Sequence, residues 1–160
     1  MGTKSIFVDI DGTIADISHR VHHITSRDDT IATKTTDWDA FYEAISEDKP
    51  IQPTIDIVRA LWKKGYQIIL ITGRDAERRN LTILWLLEHK VPWDVLLMRP
   101  IGDHRPDVKI KREWLKKMQD GELTFQGAAV PKIVIEDRQK VIDMWREEGL
   151  IALQCDVGDF

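Results

Sequence analysis

Asp9-Ile10-Asp11-Gly12-Thr13 places two carboxylates two residues apart. On an extended strand, side chains at that spacing point to the same side. Neighbouring carboxylates repel unless one keeps a proton or a cation lies between them. Mg2+ answers that need, because it takes carboxylate oxygens, a backbone carbonyl, waters and the phosphate oxygens of a substrate. Gly12 lets the chain turn sharply with no side chain in the way. Two more polar clusters occur, Thr72-Gly73-Arg74 and Glu136-Asp137-Arg138. Glu136 or Asp137 would add a carboxylate to the ion. The arginines suit phosphate, because a planar guanidinium bonds two oxygens at once.

Taken singly, each cluster is ordinary turn chemistry. Asp-x-Asp-Gly-Thr, however, arises by chance in a chain this long only on the order of once in several hundred at average usage. The elements that carry the clusters strengthen the reading. Ser5 to Val8 is a short β-rich run ending at Asp9. Tyr66 to Ile71 is an apolar, β-branched run ending at Thr72, and Lys132 to Ile135 ends at Glu136. Val95 to Met98 and Leu150 to Gln154 read as two further strands. Helices are expected over Thr54 to Lys64, Ala76 to His89, Asp107 to Met118 and Gln139 to Glu148. Strands alternating with helices predict an α/β three-layer sandwich around a mainly parallel sheet. Ligands bind at the carboxyl edge of such sheets, where all three clusters would meet.

Residues 14–50 break this rhythm and are expected to form a small cap or lid inserted after the first strand. Ser18 to Thr36 is polar, carries His19, His22 and His23, and reads as a long loop. No cysteine or glutamate stands at metal-ligand spacing from those histidines. Trp38 to Ile45 predicts a short helix capped by Asp37, with Phe41, Tyr42 and Ile45 turned inward. Trp38, Phe41 and Tyr42 are able to stack on a base, but their helical spacing favours a small core for the lid. Trp62, Trp85, Trp114 and Trp145 fall in the expected helices and are read as core or interhelix packing.

The chain has 160 residues and a formal charge of −4, with 23 Lys and Arg against 27 Asp and Glu. That balance argues against a long grip on nucleic acid and points to an end or a single nucleotide. Cys155 is the only cysteine, which fits a reducing cytoplasm. The first residues are too short and too charged a stretch for a signal peptide or membrane span, so no membrane partner is expected.

The motifs Asp9-x-Asp11-Gly12-Thr13, Thr72-Gly73-Arg74, a later lysine and Glu136-Asp137 resemble the four motifs of the haloacid dehalogenase superfamily. The resemblance spans nearly the whole chain and implies one Rossmann-like phosphatase domain over residues 1–160. It implies that Asp9 attacks phosphorus and that Asp11 serves as acid and then base. It further implies that Thr72 bonds phosphoryl oxygens and that Asp9, Asp11, Glu136 and Asp137 hold Mg2+. Lys109 and Lys111 both fit the lysine. Further likeness, from Gly65-Tyr66-Gln67-Ile68 through Arg105-Pro106-Asp107 and Met144-Trp145-Arg146 to Gly158-Asp159-Phe160, is to the 3′-phosphatase domain of bacteriophage polynucleotide kinase-phosphatase. This comparison favours Lys111. It assigns substrate contacts to Thr13, Arg20, Gly73, Arg74, Arg99 and Arg138, with Asp107 orienting the lysine or an arginine.

Two departures stand out. Glu136 replaces the first of two usual aspartates, and no Gly-x-x-x-x-Gly-Lys-Ser/Thr phosphate loop occurs in these 160 residues, so they are not expected to phosphorylate 5′ ends by themselves. The expected activity is a polynucleotide or nucleotide 3′-phosphatase. A 5′-nucleotidase for deoxynucleoside monophosphates and a non-catalytic nucleotide-sensing module are the alternatives. Location in a cytoplasm, a host's if the chain is phage-encoded, follows from the resemblance. Oligomeric state is not legible.

Overall fold

Ile6 and Val8 face one way from the first strand and Phe7 the other, and this alternation divides the core in two. The computed structural model describes residues 4–25 and 36–158. Its chain runs β1 (Ser5–Asp9), β2 (Ala15–Asp16), α1 (Trp38–Glu43), β3 (Lys49–Pro50), α2 (Gln52–Lys63) and β4 (Gln67–Asp75). It continues through α3 (Arg79–Glu88), β5 (Val95–Arg99), α4 (Asp107–Gln119), β6 (Ile133–Arg138), α5 (Gln139–Glu147) and β7 (Ile151–Gly158).

Five strands form one sheet in the order β5-β4-β1-β6-β7, and every neighbouring pair is parallel. On one face, Ile6, Val8, Ile68 and Leu70 pack against Ile55 and Val58 of α2 and Trp85 and Leu86 of α3. On the other, Phe7, Ile69, Ile71 and Val134 pack against Trp114 and Leu115 of α4 and Val141 and Trp145 of α5. The expected three-layer α/β arrangement is what the chain adopts. Trp62 corrects one expectation. It is 49% exposed, because Ile55 and Val58 already fill the buried stripe of α2.

The strands also run farther than the apolar pattern indicates. β4 continues past Ile71 to Asp75 and β6 past Ile135 to Arg138. Pairing with β5 and β7 resumes beyond a register shift in each case, between Thr72 and Asp75 and between Glu136 and Arg138. Two of the three polar clusters therefore lie inside strands, at irregularities of the kind that re-aim side chains.

The segment after β1 is closed at its base by β2 and β3, which pair antiparallel through Ala15–Pro50 and Asp16–Lys49. A 3-10 turn spans Val21–His23, and α1 is capped by Asp37, whose Oδ1 accepts the Ala40 N–H at 2.9 Å. Residues 26–35, most of the second half of the expected long loop, and the terminal Asp159 and Phe160 lie outside the described residues. Among the described residues, no helix is long and apolar enough to cross a membrane.

Candidate active site

Phe7 and Asp9 are two residues apart on β1, so both project to the face covered by α4. Lys111 comes from that helix. It is buried, and its Nζ lies 2.7 Å from Asp9 Oδ1, 2.8 Å from Glu136 Oε2 and 3.0 Å from Asp107 Oδ2. Asp107 and Lys111 are one helical turn apart, which brings them together on the same side of α4. Burial alone would lower the pKa of Lys111, but Asp107, Asp9 and Glu136 hold it well above its ordinary value. The ammonium is therefore charged at neutral pH. Lys109 is exposed on the same helix, so Lys111 is the lysine that reaches the cluster.

Among the described residues, Asp9, Glu136 and Asp137 form a buried triad that offers one oxygen each, all within 4.8 Å of one another. Burial raises all three acids. Glu136 repulsion adds to the rise at Asp9, which sits well above its ordinary range although Lys111 opposes it. Glu136 is pushed up to about 7, and Asp137, near Asp9, to about 6. Thr13 Oγ1 donates to Asp137 Oδ1 at 3.2 Å. Two glycines leave the room this carboxylate needs. A Cβ at Gly12 would lie 2.2 Å from Asp137 Oδ2, and one at Gly158 would lie 1.9 Å away. Gly12 also holds a φ of +80°, which suits the tight turn after β1. Once ionised, three buried carboxylates outweigh one ammonium, and hard oxygen donors of this kind fit a divalent cation such as Mg2+.

Asp11 stands apart from that triad. β1 ends at Asp9, and Asp11 lies just beyond it, lining the same cavity as Asp9. Its Oδ1 accepts from Arg74 Nη2 at 2.6 Å and from Arg20 Nη2 at 2.8 Å. Burial favours the neutral acid here, yet the Arg74 and Arg20 guanidiniums hold its pKa below the ordinary value. Asp48 closes the group from the far side. Its Oδ1 accepts from Arg20 Nε at 2.6 Å, and its Oδ2 from Arg20 Nη2 and Arg74 Nη2, both at 2.8 Å.

No local motif around Asp48 marks it as a site residue. The only hint was the need of any buried arginine for a partner. Arg20 is fully buried, and Nη1 donates to the Phe41 carbonyl at 3.2 Å. The expectation that Arg20 touches substrate is thereby corrected, because all its nitrogens are engaged behind Asp11. Thr72 is buried as well, and its Oγ1 accepts the Arg74 amide at 3.1 Å.

A cavity of about 610 Å³ opens over these groups. Asp9, Asp11, Gly73, Arg74, Arg99, Asp107 and Arg138 line it, as do Trp38, Phe41 and Tyr42 of α1. Arg99 Nε donates to the Gly73 carbonyl at 2.8 Å, and Arg138 Nη1 lies 3.7 Å from Asp107 Oδ2. Asp107 Oδ1 is buried and has no hydrogen-bond partner among the described residues.

Known proteins share this fold. The family model described as "Polynucleotide kinase PNKP phosphatase domain" matches residues 3–160. A chain in the structure of the Pnkp1/Rnl/Hen1 RNA repair complex is 28% identical with a TM-score of 0.74, over 99% of this chain and 44% of that one. This chain therefore spans less than half the length of that relative. A Class C acid phosphatase from Bacillus anthracis is 18% identical with a TM-score of 0.62, over 98% and 68% of the two chains. A predicted phosphatase from Clostridium acetobutylicum is 13% identical with a TM-score of 0.63, over 96% and 85%. The last two, at such low identity, show the fold alone.

Proposed function

We propose, for a phosphatase that belongs to the polynucleotide kinase PNKP phosphatase domain family, the Mg2+-dependent removal of 3′-phosphates from nucleic acid ends or 3′-nucleotides. The observation that carries this reading is the Lys111 ammonium held 2.7 Å from Asp9 Oδ1 at the edge of an arginine-lined cavity. Residues 1–160 would act as one phosphatase domain, with 14–50 as its cap.

Asp9 Oδ would attack phosphorus, and the bond from phosphorus to the 3′ oxygen would break, leaving an aspartyl-phosphate. Asp11 would give its proton to the departing alkoxide. It would then take a proton from water as that water attacks phosphorus, releasing inorganic phosphate and restoring the Asp9 carboxylate. The two guanidiniums favour the ionised, basic form of Asp11, which suits the second step. The negative charge of an arriving phosphate favours its protonation for the first.

Lys111 would neutralise charge on Asp9 and on the transferring group. Thr72 would donate its hydroxyl hydrogen to a phosphoryl oxygen, while Arg74, Arg99 and Arg138 would face the substrate from the cavity wall. Asp9, Asp137 and Glu136 would hold Mg2+, which when bound offsets phosphate charge and lets the carboxylates ionise together. Arg20 and Asp48 would act as positioning residues for Asp11 and Arg74. Nucleic acid ends are the partner; the single cysteine accords with action in a cytoplasm.

The test is a panel of 3′-phosphorylated oligonucleotides, 3′-mononucleotides and 5′-mononucleotides, each with and without Mg2+. Release from 3′ esters, abolished by EDTA and by Asp9→Asn, is the expected result. Preferential turnover of 5′-deoxynucleoside monophosphates would replace this reading with a nucleotidase.

A further inference from the structure

The three aromatic residues of α1 divide their roles in a way that helical spacing does not foretell. Phe41 is buried and lies beneath Arg20, whose guanidinium carbon is 4.1 Å from the ring centre. Trp38 is 50% exposed, and it lines the same cavity as Asp9 and Asp11. Its ring lies 5.9 Å from Tyr42 in a stack inclined by 29°, and 5.7 Å from Phe41 edge to face.

The indole is therefore backed on two sides by aromatic neighbours while half of it stays open. Arg20 ties the base of this cluster to Asp11, at 2.8 Å. Rigid, half-exposed aromatic surface beside a phosphate-cleaving site suits one ligand class above others, the flat π-face of a nucleobase.

We infer that Trp38 forms a nucleobase subsite, stacking on the base of the nucleotide whose phosphate is removed. The inference rests on reading the cavity as the phosphatase site and adds to it the element that distinguishes nucleotides from other phosphate esters. Trp38 is a specificity residue and takes no part in bond making. Stacking tolerates any base, so the subsite favours nucleotides without selecting among the four. Trp62 supplies an internal control, since it is 49% exposed on α2 and is not among the residues lining the cavity.

The experiment compares KM and kcat for a nucleoside 3′-phosphate and for a base-free deoxyribose 3-phosphate. In the unaltered protein, the base-bearing ester should show a KM lower by roughly 5- to 100-fold, the range of one base stacked on an aromatic ring. Trp38→Ala should remove that advantage while leaving kcat within about twofold. Trp38→Phe should restore most of it, and Trp62→Ala should leave it intact. Equal KM values for the two esters in the unaltered protein overturn the inference before any variant is made. So does a Trp38→Ala effect of the same size on both esters, which marks a structural role. If only 5′ esters turn over, the 3′ reading falls and the same KM ratio, taken on 5′ esters, still decides for or against Trp38.

Discussion

Asp48 Oδ2 lies 2.8 Å from Arg74 Nη2, a contact that joins the segment after β1 to the second polar cluster on β4. Both side chains are buried, and each also binds a second oppositely charged residue, Arg20 for Asp48 and Asp11 for Arg74. Two guanidiniums and two carboxylates thus form a charge-balanced group, fully buried at Arg20, Arg74 and Asp48 and open to the cavity at Asp11. The balance explains how so many charges are buried at all.

Breaking that balance should be costly. Asp48→Ala leaves two buried guanidiniums facing Asp11 alone, a loss of about 3–5 kcal/mol. Thermal melts should show Tm falling by roughly 6–20 °C for a domain of this size. Turnover should fall in the folded fraction, because Asp11 loses its fixed position. A Tm unchanged by the substitution would mean that water or a shifted side chain replaces the carboxylate, and the positioning role would be withdrawn.

The two candidate lysines offer a contrast on one helix. Lys111→Met removes the one ammonium that, among the described residues, contacts Asp9, Glu136 and Asp107, and kcat should drop by about 100-fold or more. Lys109→Ala alters an exposed residue and should leave kcat and stability within about twofold and 0.5 kcal/mol. Equal losses in both variants would contradict the burial that separates these positions.

Metal-free stability should depend on pH in a stated direction. Folding raises Glu136 from its ordinary 4.5 to about 7 and Asp137 from 3.8 to about 6. Between those limits the folded state binds more protons than the unfolded state, so these groups lower stability as pH climbs. In EDTA, Tm should fall between pH 5 and pH 8, and Glu136→Gln should flatten the slope. Mg2+ competes with those protons, so the Tm gained on adding it should be larger at pH 8 than at pH 5. At a hundredfold excess over Kd the gain is about 2.7 kcal/mol. Differential scanning fluorimetry at the two pH values checks both statements.

These relationships differ in how far the sequence reveals them. The strands, the helices and the three clusters are legible because apolar period and turn chemistry are local signals. Lys111 is legible only through resemblance, since Lys109 has the same charge two residues away and the helix phase decides between them. Asp48 is hidden because its partners Arg20 and Arg74 lie 28 and 26 residues distant, and no local pattern records an ion pair across that gap. The ends of β4 and β6 are misjudged for a related reason. Backbone pairing across the register shifts depends on β5 and β7, and the apolar run of each strand stops earlier than its hydrogen bonds do.

Gly158 is the sharpest case of a role that its own sequence neighbourhood does not explain. It lies near the end of β7, beside Arg138 in the sheet register, and a Cβ there would sit 1.9 Å from Asp137 Oδ2. Sheet pairing fixes the glycine backbone, so in Gly158→Ala the Asp137 carboxylate must give way. Rotation would break its contact with Thr13 Oγ1 and carry an oxygen out of the triad with Asp9 and Glu136. The Mg2+ concentration for half-maximal activity should then rise by about 10- to 100-fold, the usual cost of disturbing a group that orients metal ligands. Saturating Mg2+ should recover a large part of kcat, because Asp9 and Lys111 remain in place. An unchanged Mg2+ requirement would show that Asp137 is not held against this glycine, and with it the assignment of Asp137 to the ion would fall.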